Sequence, residues 1–125
     1  MSKALSKLFV YGTLKKGYHN HYIIEGSKLI NTAVLSDYAI FDLGSFPGIV
    51  RDHESRVYGE LYEISDDLLP RLDRLEGVPY LYDRATEVVV DSGMNVHTGV
   101  YVYVYQLDSG EFIKDGVWPE ALSAA

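Results

Sequence analysis

Cysteine is absent from the 125-residue sequence. Its absence excludes a disulfide framework, a thiolate metal site and a thiol nucleophile. The fold must hold by packing alone, which fits a reducing cytoplasm. Basic residues are scarce: 11 Lys and Arg stand against 18 Asp and Glu, a formal net charge of -7. A nucleic-acid footprint needs a clustered basic face, and Lys15-Lys16 is the only adjacent basic pair. No apolar run approaches the ~18 residues of a membrane span, and residues 1–7 lack an apolar signal core. The expectation is a soluble cytoplasmic protein without nucleic-acid or membrane partners. The length suits one domain over residues 1–125, with its core at about 7–118.

Hydrophobic residues make up 47% of the chain, enough for a core, and tyrosine is prominent, with 11 residues. Tyr101, Tyr103 and Tyr105 recur at every second position, as aromatic residues on a pleated, half-buried surface do. Lys7 to Tyr11 reads as a first strand that stops at Gly12-Thr13-Leu14-Lys15-Lys16-Gly17, where two glycines bracket a polar stretch. His19 to Glu25 suits a short helix closed by Gly26. Lys28–Leu35, Asp37–Leu43, Ile49–Arg51 and Arg56–Ile64 read as strands, with turns at 44–48 and 52–55. Gly59, inside the last of these, signals a bend or the close approach of another backbone. Leu68, Leu69, Leu72 and Leu75 recur at helical spacing, with Asp67 as N-cap, Pro70 in the first turn and Gly77 as terminator. Late strands are expected at 84–91 and 96–107, and the tip of the tail is expected to fray. The absence of βαβ alternation argues against a parallel doubly wound sheet. The expected fold class is α+β: a mostly antiparallel or mixed β-barrel flanked by short helices.

Two places carry chemistry. A strand ending in the Tyr11-Gly12-Thr13-Leu14 turn can leave successive N–H groups around one concavity, a nest that attracts a carboxylate or phosphate. The same residues also fit an ordinary strand-terminating turn. Glu76 precedes the helix-stopping Gly77, where the negative end of the helix dipole disfavours the carboxylate. Partial burial would raise its pKa further, towards the range of a proton shuttle. A solvated glutamate at a helix end fits that spacing too.

YGTLKKG after the first strand, FPGIV, VYGELYEI, LDRLEGVPYLYDR and an aromatic strand leading to GVW follow in this order. Together they resemble the γ-glutamylcyclotransferase-like family, in the small branch that includes γ-glutamylamine cyclotransferases and plant avirulence-induced-gene-like proteins. The resemblance runs from about Lys7 to Trp118. It implies a small β-barrel with a cavity at its mouth, a substrate-binding loop at Tyr11, Gly12, Thr13 and Leu14, a catalytic carboxylate at Glu76, and Tyr82 lining the cavity. The implied reaction converts a γ-glutamyl amine or γ-glutamyl amino acid to 5-oxoproline, with Glu76 as general acid and base and no cofactor or metal. The implied partner is a small γ-glutamyl substrate; the sequence leaves the oligomeric state open between monomer and homodimer. Thr13 stands where serine is commoner, and Val117 stands where the family often carries an aspartate.

The remaining candidates are weaker. His19 and His21 lack an acidic ligand nearby and read as solvated loop residues rather than a metal pair. His53 and His97 read as turn or surface residues, and Asp66-Asp67 as helix entry. Asp73, three residues before Glu76, is expected to share its helix face, but no motif supports a glycosidase-like carboxylate pair. A non-catalytic module binding a small carboxylate on the same barrel is the alternative function, and docking through a tyrosine-rich strand is a further one.

Overall fold

A computed structural model describes residues 4–119, so the tail tip expected to fray lies outside the described residues. The strands are β1 (Leu5–Val10), β2 (Lys28–Asp42), β3 (Pro47–Ser65), β4 (Tyr82–Asp91), β5 (Val96–Tyr105) and β6 (Glu111–Phe112), and the single α-helix among the described residues is α1 (Leu69–Glu76). The sheet runs β3-β1-β5-β4-β2 and closes through β2–β3 pairing, while β6 extends β2. The result is a closed five-stranded mixed barrel in which β1–β5 is the parallel pair and the other pairs are antiparallel. Closure leaves the five main strands without a free edge. No helix among the described residues is long and apolar enough to cross a membrane.

Strand alternation divides the core. Phe9, Leu35, Ile40, Ile49, Val57, Leu61, Val89, Val100 and Val102, from all five barrel strands, form one cluster that fills the barrel. The alternate strand positions Leu8, Val10, Tyr62, Ile64, Tyr103 and Tyr105 form a second cluster with Leu69 and Leu72 of α1. Strands buried on both faces carry apolar residues at successive positions. This is why Arg56–Ile64 carries apolar residues on both faces, with Val57 and Leu61 buried on one and Tyr62 and Ile64 on the other.

Several expected boundaries move. The segments at 28–35 and 37–43 are one strand, kinked by a register shift at Ser36/Tyr38, where Asp37 takes φ 68°. The polar turn expected at 52–55 is instead part of β3. There Asp52 accepts the Glu54 N–H at 3.1 Å and the Ser55 hydroxyl at 2.9 Å, so the extra residues satisfy themselves locally. The helix expected at 19–25 shrinks to a 3₁₀ turn at His21–Ile23. A second 3₁₀ turn, Asp66–Leu68, precedes α1, and its cap is Ser65, whose hydroxyl accepts the Asp67 N–H. Ser65 therefore takes the capping role expected of Asp67. Gly77 does end α1, at φ 66°. The N–H groups of Gly77 and Val78 return to the carbonyls of Arg74 and Asp73 at 3.2 and 3.0 Å, a Schellman closure that leaves Glu76 as the last helical residue.

Gly59 marks the close approach expected of it. A Cβ there would lie 2.3 Å from the Val10 carbonyl oxygen and 2.8 Å from Phe9 Cζ. The obstacle is partly backbone within the β1–β3 ladder and cannot step aside. Gly59→Ala is therefore expected to cost about 3 kcal/mol, read as a fall in the urea midpoint. An unchanged midpoint would contradict this strand spacing.

Candidate active site

β1 ends at Val10 and the chain turns at once. Lys15 N–H returns to the Gly12 carbonyl at 3.0 Å, and Asn20 N–H to that of Thr13 at 3.1 Å. The Asn20 amide donates to the Thr13 hydroxyl at 2.9 Å, a bond that a serine could also accept. His21 Nδ1 lies 2.8 Å from the Leu14 carbonyl oxygen, with its ring against Tyr62. His21 is thus a strut of this loop rather than a solvated histidine. Lys15 is buried; its ammonium donates to the Trp118 carbonyl and sits over the Tyr18 ring. Burial pushes its pKa down, partly opposed by Glu60. Trp118 packs against Tyr18 in turn, so the tail braces the loop from behind. Among the described residues, the N–H groups of Gly12, Thr13 and Leu14 meet no acceptor. A Cβ on Gly12 would fall 2.6 Å from Pro47 Cγ, so only glycine lets the loop lie this close to the start of β3.

Opposite the loop stands Glu76, carried to the cavity by the last turn of α1. It is half-buried, and its carboxyl receives no hydrogen bond among the described residues. Burial pushes its pKa up to about 7. The helix C-terminus acts in the same direction. Three tyrosines surround it electrostatically, and each phenol is committed elsewhere. Tyr11 donates to the Tyr103 carbonyl at 2.6 Å, Tyr82 to the Pro47 carbonyl at 2.5 Å, and Tyr103 to Asp73 at 2.8 Å. Burial raises the pKa of all three phenols, and the charge on Glu76 adds to it.

One cavity of about 210 Å³ brings these groups together: Tyr11, Gly12, Thr13, Leu14, Glu76 and Tyr82 all line it. It opens at one end of the barrel, between the end of β1, the turn before β3 and the start of β4. The sequence reading missed Tyr103, Phe46, Pro47, His19 and Asn20, which also line it. Alternation in β5 marked Tyr103 as a packed strand residue, and it is buried as expected; no local signal placed it beside Glu76. Tyr105 is also buried and packs against Tyr82 at 5.5 Å between ring centroids. His19 and His53 are exposed as expected. His97 is not a lone surface residue: its Nε2 lies 2.9 Å from the buried Asp91 carboxylate and its Nδ1 3.0 Å from Lys7 Nζ. That hydrogen bond, with those from Asn95 and Gly93, holds Asp91 well below the usual carboxylate range. No group of three or more His, Asp or Glu able to hold a metal occurs among the described residues.

A closed mixed barrel with a glycine-turned loop facing a lone carboxylate defines a recognisable class. A mouse AIG2-like protein of known structure superposes with a TM-score of 0.75, covering 84% of this chain and 80% of its own at 23% identity. The family model described as "Gamma-glutamyl cyclotransferase, AIG2-like" matches residues 8–120. The chain belongs to this family and is a γ-glutamylcyclotransferase-like enzyme. A Vibrio cholerae relative that also carries the γ-glutamylcyclotransferase name is 36% identical, over 86% of this chain and 95% of its own. The bovine protein named γ-glutamylaminecyclotransferase is 31% identical, over 82% of this chain and 67% of its own.

Proposed function

We propose that the protein cyclises a γ-glutamyl amine to 5-oxoproline and releases the amine, with Glu76 as general base and then general acid. The observation that carries this reading is a half-buried carboxyl that, among the described residues, receives no hydrogen bond and shares one small cavity with a loop whose backbone N–H groups meet no acceptor. The substrate's own α-amine is the nucleophile. Its nitrogen attacks the γ-carbonyl carbon and closes a five-membered ring, and Glu76 takes the proton it sheds. The C–N bond to the leaving amine then breaks, and Glu76 returns the proton to that nitrogen. A carboxyl titrating near neutrality is matched to both transfers. The N–H groups of Gly12, Thr13 and Leu14 supply donors for the α-carboxylate or the developing oxyanion. Tyr11 and Tyr82, their phenols occupied, contribute ring surface that holds the folded substrate in its near-attack shape.

The lining argues for the leaving group. Among the described residues no Lys or Arg side chain faces the cavity, and Phe46, Leu75 and Leu81 form much of its apolar wall. A γ-glutamyl amino acid would bring a second carboxylate against that wall without a cation to receive it, at a desolvation cost. The name of the bovine relative points the same way. With a panel of γ-glutamyl amines and γ-glutamyl amino acids, kcat/KM is expected to favour the amines by about tenfold or more, equivalent to about 1.4 kcal/mol. Equal or better use of the amino acids would overturn this assignment of the leaving group.

A further inference from the structure

Asp73 lies on α1 one turn before Glu76, and its carboxylate is engaged on both oxygens. Oδ1 accepts the Tyr103 phenol at 2.8 Å. Oδ2 lies 3.6 Å from Arg84 Nη1, which is buried and has no hydrogen-bond partner among the described residues. The Arg84 guanidinium also stacks over the Tyr101 ring, 4.7 Å from its centroid. Asp73 therefore ties the last turn of α1 to β4 through Arg84 and to β5 through Tyr103. Tyr103 lines the same cavity as Glu76, yet its only O–H points to Asp73.

We propose that Asp73 is a positioning residue for Glu76: it fixes the last turn of α1 against the barrel and withholds the Tyr103 O–H from the Glu76 carboxylate. The proposal rests on the reading of Glu76 as the proton shuttle. A carboxylate that accepts a phenol hydrogen bond is stabilised in its charged form and becomes a weaker base. The titratable groups that share the cavity with Glu76 are Tyr11 at the end of β1, His19 in the following loop, Tyr82 of β4 and Tyr103 of β5; Asp73, on its own helix, reaches it through Tyr103. Tyr11 and Tyr82 donate to backbone carbonyls that no side-chain change removes. Tyr103 donates to a side chain, so its direction depends on Asp73.

The test follows Glu76 itself. In protein labelled at glutamate side-chain carbons, the Glu76 carboxyl signal, assigned by its loss in Glu76→Gln, is titrated by NMR alongside the pH profile of kcat/KM. Wild-type protein is expected to titrate near the elevated value of about 7 in both. In Asp73→Ala the Glu76 titration is expected to fall by about one unit or more. Turnover is expected to fall about tenfold or more with KM little changed, because the base is weaker and less well aimed. Adding Tyr103→Phe is expected to return the titration upwards, since the phenol is then gone. Asp73→Ser, measured in parallel, carries the same expectation should the alanine variant fold poorly. An unshifted titration in the Asp73 variants overturns the proposal, as does a double variant that titrates as low as the single one. A titration that shifts as expected in a protein forming no 5-oxoproline would support the positioning of Glu76 and reject the proposed reaction, so the two failures are distinguishable.

Discussion

Replacing Glu76 with glutamine is expected to lower turnover about 10²–10⁴-fold while the fold and substrate binding persist. Glutamine keeps the size and hydrogen-bonding edge of the side chain but can neither take the α-ammonium proton nor deliver one to the leaving amine. The cavity offers few substitutes. His19 is an exposed rim residue, and the three surrounding phenols are pushed far above neutrality by burial. The loss should fall on kcat, since the proton transfers belong to the transition state rather than to the bound substrate. Turnover within threefold of wild type would remove Glu76 from the mechanism.

The same substitution is expected to stabilise the protein above neutrality. The folded-state pKa of Glu76 is raised from 4.5 to about 7. Between those values the native state holds a proton that the unfolded chain has released, so stability falls as pH rises through that window. A shift of that size, discounted because the carboxyl is only partly enclosed, corresponds to a penalty on the order of 2 kcal/mol, fully present above pH ~7 and absent below pH ~4.5. Glutamine carries no charge and escapes it. Urea midpoints at pH 4 and pH 8 test this: the variant's advantage should appear at pH 8 and vanish at pH 4. Equal differences at the two values would mean that Glu76 is not destabilised as a carboxylate. With the turnover prediction, this describes a residue retained against its effect on stability.

Much of the candidate site's lining could be read from local sequence because it is built from punctuation. The glycines around Thr13-Leu14 interrupt β1, and Gly77 stops α1 immediately after Glu76. Both features are short-range, and the family motifs fall on them. What the sequence concealed is long-range. Closure of the barrel depends on β3 pairing with both β1 and β2, and no run of residues announces that. The continuity of β2 and β3 was hidden because the strand reading broke at Ser36 and residues 52–55 look like a turn, while both places are absorbed as irregularities within strands. Tyr103 read as one of an alternating row, and only the packing of α1 against the barrel brings it to Asp73 and into the cavity with Glu76. The Asp91–His97 pair escaped notice for a related reason: six residues and a tight turn separate two side chains that the β4–β5 hairpin places side by side.

The most direct measurement is the identity of the product formed from a γ-glutamyl amine. The protein would be incubated with the substrate, and 5-oxoproline, glutamate and free amine would be quantified together by mass spectrometry. Attack by the substrate's own α-amine predicts 5-oxoproline and amine in equal amounts, with no glutamate formed. Glutamate in place of 5-oxoproline would mean that water is the nucleophile and would contradict the cyclisation chemistry assigned to Glu76 and the Gly12-Thr13-Leu14 loop.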